Sequence, residues 1–251
     1  MTGSSHSRTA VVTGATGGIG SAITRRLADD GFAVIAGYHR AADEAAQLVA
    51  DLPGSGHRAA RISVLDPASL EELAASLHGD RGALDVLVNC AGMTRPVPHD
   101  DLDSLDDELI DQIFAVNWRG PFATTRALRP MLDAAESAVV VNISSVAGTT
   151  GQGSNVAYCA SKAALDSMTR SLGRALAPSI RVVSVSPGWV MGEYAERMPP
   201  EVLQAQRDGT PLGRLATADD VAAAVRAAVV DLPFTTGSII TVDGGRPLGT
   251  S

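Results

Sequence analysis

Tyr158 and Lys162 stand four residues apart in a run of good helix formers that extends to about Ala177. That spacing puts both side chains on one helical face. A phenol has an ordinary pKa of about 10, so near neutrality it is a weak acid and a poor base. A fixed ammonium nearby favours the phenolate and makes the phenol a usable proton relay. Thirteen residues before Tyr158, Ser145 stands where the apolar, β-branched run Ala138–Ile143 ends, and its hydroxyl could hydrogen-bond the same substrate oxygen. For such a pair in isolation the plainer reading is a surface Tyr and Lys on an amphipathic helix, so the rest of the chain has to decide.

A nucleotide site is the second expectation. Residues 8–12 read as a short strand, followed by a turn containing Gly14, Thr16, Gly17, Gly18, Ile19 and Gly20, then a helix over 21–29. Strand, glycine-rich turn and helix in that order are the context a dinucleotide fingerprint requires. Gly14 permits the tight turn, Gly18 lets backbone approach a pyrophosphate at the helix N-terminus, and Gly20 allows close helix–strand packing. The spacing is G-x-x-x-G-x-G rather than G-x-G-x-x-G. The next strand, 33–37, ends in Tyr38, His39 and Arg40. An acidic residue there would bind a ribose 2′-hydroxyl and repel a 2′-phosphate. Arg40 instead offers a guanidinium suited to phosphate, which points to NADP(H) over NAD(H), the alternative being a solvated loop arginine.

Further strands are expected at 58–64, 84–89, 181–185 and 237–242, with helices at 42–52, from Pro67, and at 218–230. Residues 105–133 carry helical periodicity that Asn117 interrupts, and the Gly120 and Pro121 that follow it suggest a kink. Cys90, Ala91 and Gly92 let backbone lie against a ligand, although a plain tight turn explains them equally well. Residues 93–103 form a polar loop that could border a substrate cleft. Residues 191–213 read as irregular, a mobile lid. The expected fold is α/β: one Rossmann-type, doubly wound parallel sheet of about seven strands with helices on both faces. A short disordered lead-in, 1–7, precedes a single domain over 8–251. In such sheets ligands bind beyond the strand carboxyl ends, where the glycine turn, Arg40, Ser63, Cys90, Ser145 and Pro187 all fall.

Composition narrows the class. The chain has 251 residues, 45% of them apolar, enough for a large core, and 28 acidic against 20 basic residues give a net charge of −8 with no basic cluster. That argues against nucleic acid and anionic membrane as partners. No apolar run is long enough for a membrane span, and no signal peptide is apparent. The cysteines, Cys90 and Cys159, are too few for a disulfide framework and are not spaced for zinc. A cytoplasmic protein with no metal is the expectation.

Taken together, these residues resemble the short-chain dehydrogenase/reductase family over about residues 8 to 246, in its branch of roughly 250 residues. Thr13, Gly14, Gly18 and Gly20 resemble the family's cofactor loop, and Asn89, Cys90, Ala91 and Gly92 its Asn-Asn-Ala-Gly turn. Asn117 falls on the family's helix Asn, while Ser145, Tyr158 and Lys162 fall on its catalytic Ser, Tyr and Lys. Pro187 with Gly188, and the Val242 to Gly245 ending, match as well. The resemblance implies that Tyr158 passes a proton to or from the substrate oxygen and that Ser145 holds that oxygen. It also implies that Lys162 lowers the Tyr158 pKa and binds the nicotinamide ribose, and that Asn117 holds a water continuing the proton path. Cofactor contacts are implied for Gly14, Thr16, Gly17, Gly18, Ile19, Gly20, Tyr38, Arg40, Ser63, Val64, Asn89, Cys90, Ala91, Gly92, Pro187, Gly188 and Val190, besides Tyr158 and Lys162.

Four positions depart from the family pattern. Ser63 stands where Asp is common, Cys90 replaces the second Asn, Gly17 stands where NADP-preferring members carry a basic residue, and Gly192 stands where a Thr usually contacts the carboxamide. The resemblance is nearest to 3-oxoacyl-carrier-protein reductases. The acidic to neutral stretch 133–137, however, lacks the basic residues that carrier-docking members present there. A free carbonyl or alcohol substrate is therefore favoured over a carrier-bound one. A homotetramer through helices 105–133 and 156–177 is implied by the resemblance alone. The alternative reading is a non-catalytic cofactor-binding sensor or scaffold with the same fold.

Overall fold

A computed structural model describes residues 8–80 and 82–246, with only the backbone described at Asp80, Glu193 and Tyr194; the expected lead-in at 1–7 and the chain end at 247–251 lie outside the described residues. Seven strands form one parallel sheet: β1 Thr9–Thr13, β2 Ala33–Tyr38, β3 Arg58–Arg61, β4 Val86–Asn89, β5 Ala138–Ile143, β6 Ile180–Pro187 and β7 Ile239–Val242. Their spatial order is β3-β2-β1-β4-β5-β6-β7, so the order in which successive strands are added reverses between β1 and β4 while all strands stay parallel. The helices are α1 Gly18–Asp29, α2 Ala42–Ala50, α3 Pro67–Asp80, α4 Asp107–Phe114, α5 Gly120–Asp133, α6 Ala147–Thr150, α7 Val156–Ala175, α8 Glu193–Glu196, α9 Pro200–Asp208 and α10 Ala218–Arg226. No described helix is long and apolar enough to cross a membrane.

Both faces of the sheet are covered because its strands are apolar on both sides. Along β5, Val139, Val141 and Ile143 enter one core with Ile23 and Leu27 of α1 and Val221 and Val225 of α10. Ala138 and Val140 enter the other, with Leu70, Leu73 and Leu77 of α3 and Leu128, Met131 and Leu132 of α5. Period-two alternation within a continuous apolar run thus feeds two cores at once.

Near the carboxyl ends of the central strands, the apolar pattern breaks. Thr13 pairs with Asn89, Asn89 with Asn142 and Asn142 with Ser184, a polar row across four adjacent strands. All four residues are buried. Asn89 Nδ2 donates to Asn142 Oδ1 at 2.9 Å and to Thr125 Oγ1 at 3.3 Å. Asn142 Nδ2 donates to Thr169 Oγ1 of α7 at 2.9 Å, and Thr169 shares a 2.8 Å bond with the Ser184 hydroxyl. The row ties the carboxyl end of the sheet to α5 and α7.

Several expectations shift. β3 ends at Arg61 rather than Val64, and β4 and β7 begin two residues later than expected. The interruption at Asn117 is a π-helical turn, Ala115–Arg119, between α4 and α5 rather than a glycine–proline kink. Gly120 serves packing there: a Cβ would lie 2.8 Å from Val64 Cγ2. The segment 191–213, expected to be irregular, contains α8 and α9, and α10 runs into a second π turn, Ala227–Asp231.

Asn142 is the centre of the polar row. Asn142→Ala removes one partner each from the buried Asn89 amide and Thr169 hydroxyl, which keep Thr125 and Ser184 respectively. It is expected to lower unfolding free energy by about 2–4 kcal/mol in urea titration. A loss below about 0.5 kcal/mol would show the row to be dispensable.

Candidate active site

Lys162 is 6% exposed, and its ammonium donates to the carbonyl of Ile143, the last residue of β5, at 2.8 Å. Asn155 fixes the start of α7: its Oδ1 accepts the Tyr158 N–H at 2.7 Å. From that start, the helical spacing brings the Lys162 Nζ to 5.7 Å from the centre of the Tyr158 ring. Burial lowers the Lys162 pKa to about 8, against the pull of Cys90 and of Asp166 one turn further along α7. Burial also pushes the Cys90 thiol up to about 12, so Cys90 is neutral near pH 7 and offers the ammonium no charge. Asp166 is the carboxylate on that side. Its pKa is itself raised by burial, with the Ser144 and Ser184 hydroxyls, Arg170 and Lys162 opposing the rise.

Ser145 follows β5 and is half-buried, its Oγ accepting the Ala147 N–H at 3.2 Å at the entry to α6. Its neighbour Ser144 is buried, its hydroxyl donating to Lys162 O at 3.3 Å. The Asn117 side chain is held by the loop after β4: Met93 N–H donates to its Oδ1 at 2.9 Å, and its Nδ2 donates to Met93 O at 3.0 Å. Nδ2 also donates to Ser161 Oγ at 3.1 Å, and Ser161 donates in turn to Tyr158 O at 2.8 Å. Asn117 and Lys162 converge on Gly92. A Cβ there would lie 3.4 Å from Asn117 Oδ1 and 3.9 Å from Lys162 Nζ. A Cβ there would fit in ordinary contact but would fill the space between the two side chains that glycine leaves open.

The glycine turn meets this group at the sheet's switch point. Thr13 Oγ1 accepts the N–H groups of Cys90 and Ala91 at 3.0 and 3.1 Å. Gly14 has φ +66°, and a Cβ on it would press to 2.9 Å from Ala91 Cα, so this position needs glycine for conformation and for space. Gly20 packs its missing side chain against Gly14 O. Gly17 and Gly18 are exposed at the start of α1, whose first turn has neither an acidic residue nor a side-chain cap. An uncapped helix N-terminus of bare glycine fits a phosphate-bearing cofactor.

The other expected cofactor residues sit along the same edge. Thr16 and Ile19 are half-buried around the turn, and Tyr38 closes β2 with Arg40 exposed two residues on. Ser63 and Val64 follow β3, Val64 buried and the Ser63 N–H donating to Ser69 Oγ at 2.9 Å. Pro187 ends β6, with Gly188 and Val190 just beyond it. Asn89 is placed differently in kind: its carboxamide belongs to the polar row and not to the edge surface. Asn142, Asn155 and Asp166 were missed. Asn155 has a signal in the sequence, a capping residue three positions before Tyr158; Asp166 also has one, an acid at i+4 from Lys162.

A family model described as enoyl-(acyl carrier protein) reductase matches residues 14–246. The cis-4-hydroxycyclohexanecarboxylate dehydrogenase of Sinomonas cyclohexanicum is 37% identical over 244 residues, covering 95% of this chain and 96% of that protein. The 3-oxoacyl-(acyl-carrier-protein) reductase FabG of Thermotoga maritima is 32% identical over 239 residues, covering 94% and 96%. A Burkholderia xenovorans protein of known crystal structure, assigned to the short-chain dehydrogenases/reductases, superposes with a TM-score of 0.89 at 33% identity, covering 98% of this chain and all of that one. With that match across nearly its whole length, the chain belongs to the short-chain dehydrogenase/reductase family of oxidoreductases.

Proposed function

We propose that this protein interconverts a ketone and a secondary alcohol with NADP(H), Tyr158 acting as general acid and base. The observation that carries the reading is the buried Lys162 ammonium, fixed on Ile143 O and 5.7 Å from the Tyr158 ring beside the Gly92 opening. When bound, the nicotinamide supplies and accepts hydride. The chain's own residues do the rest. Tyr158 gives a proton to the carbonyl oxygen in reduction and removes it in oxidation. Ser145 donates a hydrogen bond to that oxygen as charge develops on it. Lys162 holds the phenol in its acidic range by proximity of charge. Asn117, set across Gly92 from Lys162, anchors the water end of the proton path.

The glycine turn and the uncapped start of α1 would hold the pyrophosphate, and Arg40 the 2′-phosphate. Gly17 offers no second cation, so the preference would rest on Arg40. Residues 8–251 form one catalytic domain in this reading, with α8 and α9 in the lid over 191–213. The substrate is a free ketone or secondary alcohol. That both a hydroxycyclohexanecarboxylate dehydrogenase and oxoacyl reductases stand among the relatives supports the reaction class. The acidic residues Asp133 and Glu136 ahead of β5 disfavour an acidic carrier. A tetramer through α4, α5 and α7 would cover the exposed Trp118, stacked on Phe122, and Val156.

Tyr158→Phe should lower kcat about 10²–10⁴-fold while NADPH binding, read by cofactor fluorescence, stays within a few-fold. Equal turnover by the variant would remove Tyr158 from the chemistry. Arg40→Asp should move the NADPH/NADH ratio of kcat/KM toward NADH by at least about 10-fold, the scale of one charge-assisted contact. An unchanged ratio would clear Arg40 of that role. The Lys162 pKa is lowered to about 8, so its ammonium is lost as pH rises through that value. Carbonyl reduction should therefore decline above about pH 8, and Lys162→Met should abolish that limb. The stability sign is opposite. Between about 8 and the unfolded lysine value the folded state has released a proton that the unfolded state keeps, so this residue's contribution to stability rises with pH.

A further inference from the structure

Asn155 is wholly buried and uses every hydrogen-bonding group of its side chain. Oδ1 accepts the Tyr158 N–H at 2.7 Å, which caps α7. Nδ2 donates to Arg95 O at 2.8 Å and to Thr94 Oγ1 at 3.2 Å, both in the loop that follows Gly92. A helix cap needs an acceptor alone, and Ser, Thr or Asp would serve. The two donors are an addition that only an amide supplies.

The adjoining residues reinforce the same seam. Thr94 and Ser154 share a hydroxyl–hydroxyl bond of 2.5 Å, and the Val97 N–H donates to Ser154 O at 2.8 Å. His99 Nε2–H donates to Gly153 O at 3.1 Å. Gly153 lies against the catalytic ring itself: a Cβ on it would be 3.2 Å from Tyr158 Cδ1. On its far side the loop is held by Arg95, which donates to Ser104 O at 3.0 Å and pairs with Asp106 at 3.7 Å, the residue that caps α4. The loop over 93–104 is thereby strung between the N-termini of α7 and α4.

We propose that Asn155 is a positioning residue that couples the 93–99 loop to Tyr158, one carboxamide setting both the wall of the substrate cleft and the start of the catalytic helix. Substrate contacts that move the loop act on Tyr158 through this side chain, and no residue of the loop need touch the phenol. The kinetic part of this inference rests on the oxidoreductase reading; the structural part does not.

Two variants separate the two halves of the side chain. Asn155→Asp retains an acceptor for the Tyr158 N–H and removes the donors to the loop; Asn155→Ala removes both. In hydrogen exchange, Asn155→Asp should accelerate the amides of 93–99 at least about five-fold and leave the Tyr158 amide protected, whereas Asn155→Ala should accelerate both segments. With a ketone substrate, Asn155→Asp should raise KM at least about five-fold with the smaller loss of kcat, and Asn155→Ala should lower kcat further. Should Asn155→Ala fail to fold, Asn155→Asp alone decides. Unchanged exchange in 93–99 in that variant overturns the coupling whether or not the protein turns over, as does faster exchange with an unchanged KM. Absence of carbonyl turnover in the parent protein would defeat the oxidoreductase reading alone, and exchange would still judge the seam.

Discussion

An ammonium withdrawn from water at the end of a parallel sheet is the constraint around which this molecule is built. Taking a lysine out of solvent is costly unless partners replace its hydration. Lys162 has one close partner in Ile143 O, and Asp166 supplies the opposite charge from the next turn of α7. The compensation is incomplete, and the lowered pKa records that. In the proposed reaction that ammonium sets the charge beside the Tyr158 phenol, so the cost in folding free energy and the proposed chemistry would have the same origin.

That arrangement requires the end of β5 and the face of α7 to hold a fixed distance, and the polar row near the strands' carboxyl ends supplies it. Asn89, Asn142, Thr169 and Ser184 close a chain of short bonds from β4 through β5 and α7 to β6. Directional bonds specify spacing in a way that Val and Ile contacts do not. Below this row the sheet is ordinary two-faced apolar core; above it lie the glycine turn, Gly92 and the lysine. The row is therefore the boundary between the apolar core and the candidate site.

Most of the scaffold was legible because its signals are local. The β-branched runs at 138–143 and 181–185, the glycines after β1 and the i, i+4 pair in α7 each announce an element from within a few residues. What was not legible depends on partners distant in sequence. Asn142 reads as a blemish in an apolar strand until Asn89, 53 residues away, is seen beside it. The interruption at Asn117 was visible, yet its form was not. At that π turn the Asn117 side chain is held by Met93 and Ser161, and neither is a neighbour in the chain. The helices inside 191–213 were hidden for another reason. α9 is short and polar with no buried residue, so its sequence carries no apolar stripe to read.

The departures from the family pattern also sort by physical consequence. Cys90 replaces an amide with a thiol at a position where the contacts recorded are backbone ones: the N–H of Cys90 itself goes to Thr13. Any residue with an ordinary N–H keeps that bond, which is why the turn tolerates the change. Its half-buried thiol, held neutral by desolvation, adds no charge near Lys162 at physiological pH. Gly17 differs, because there the side chain would be the functional part. Its absence leaves the start of α1 as open backbone, whose N–H groups and helix dipole attract any phosphate equally. Backbone can favour an anion but cannot count its phosphates, so in the proposed reading discrimination between the two nicotinamide coenzymes falls to a side chain at the end of β2. Arg40 is the cationic side chain the sequence places there.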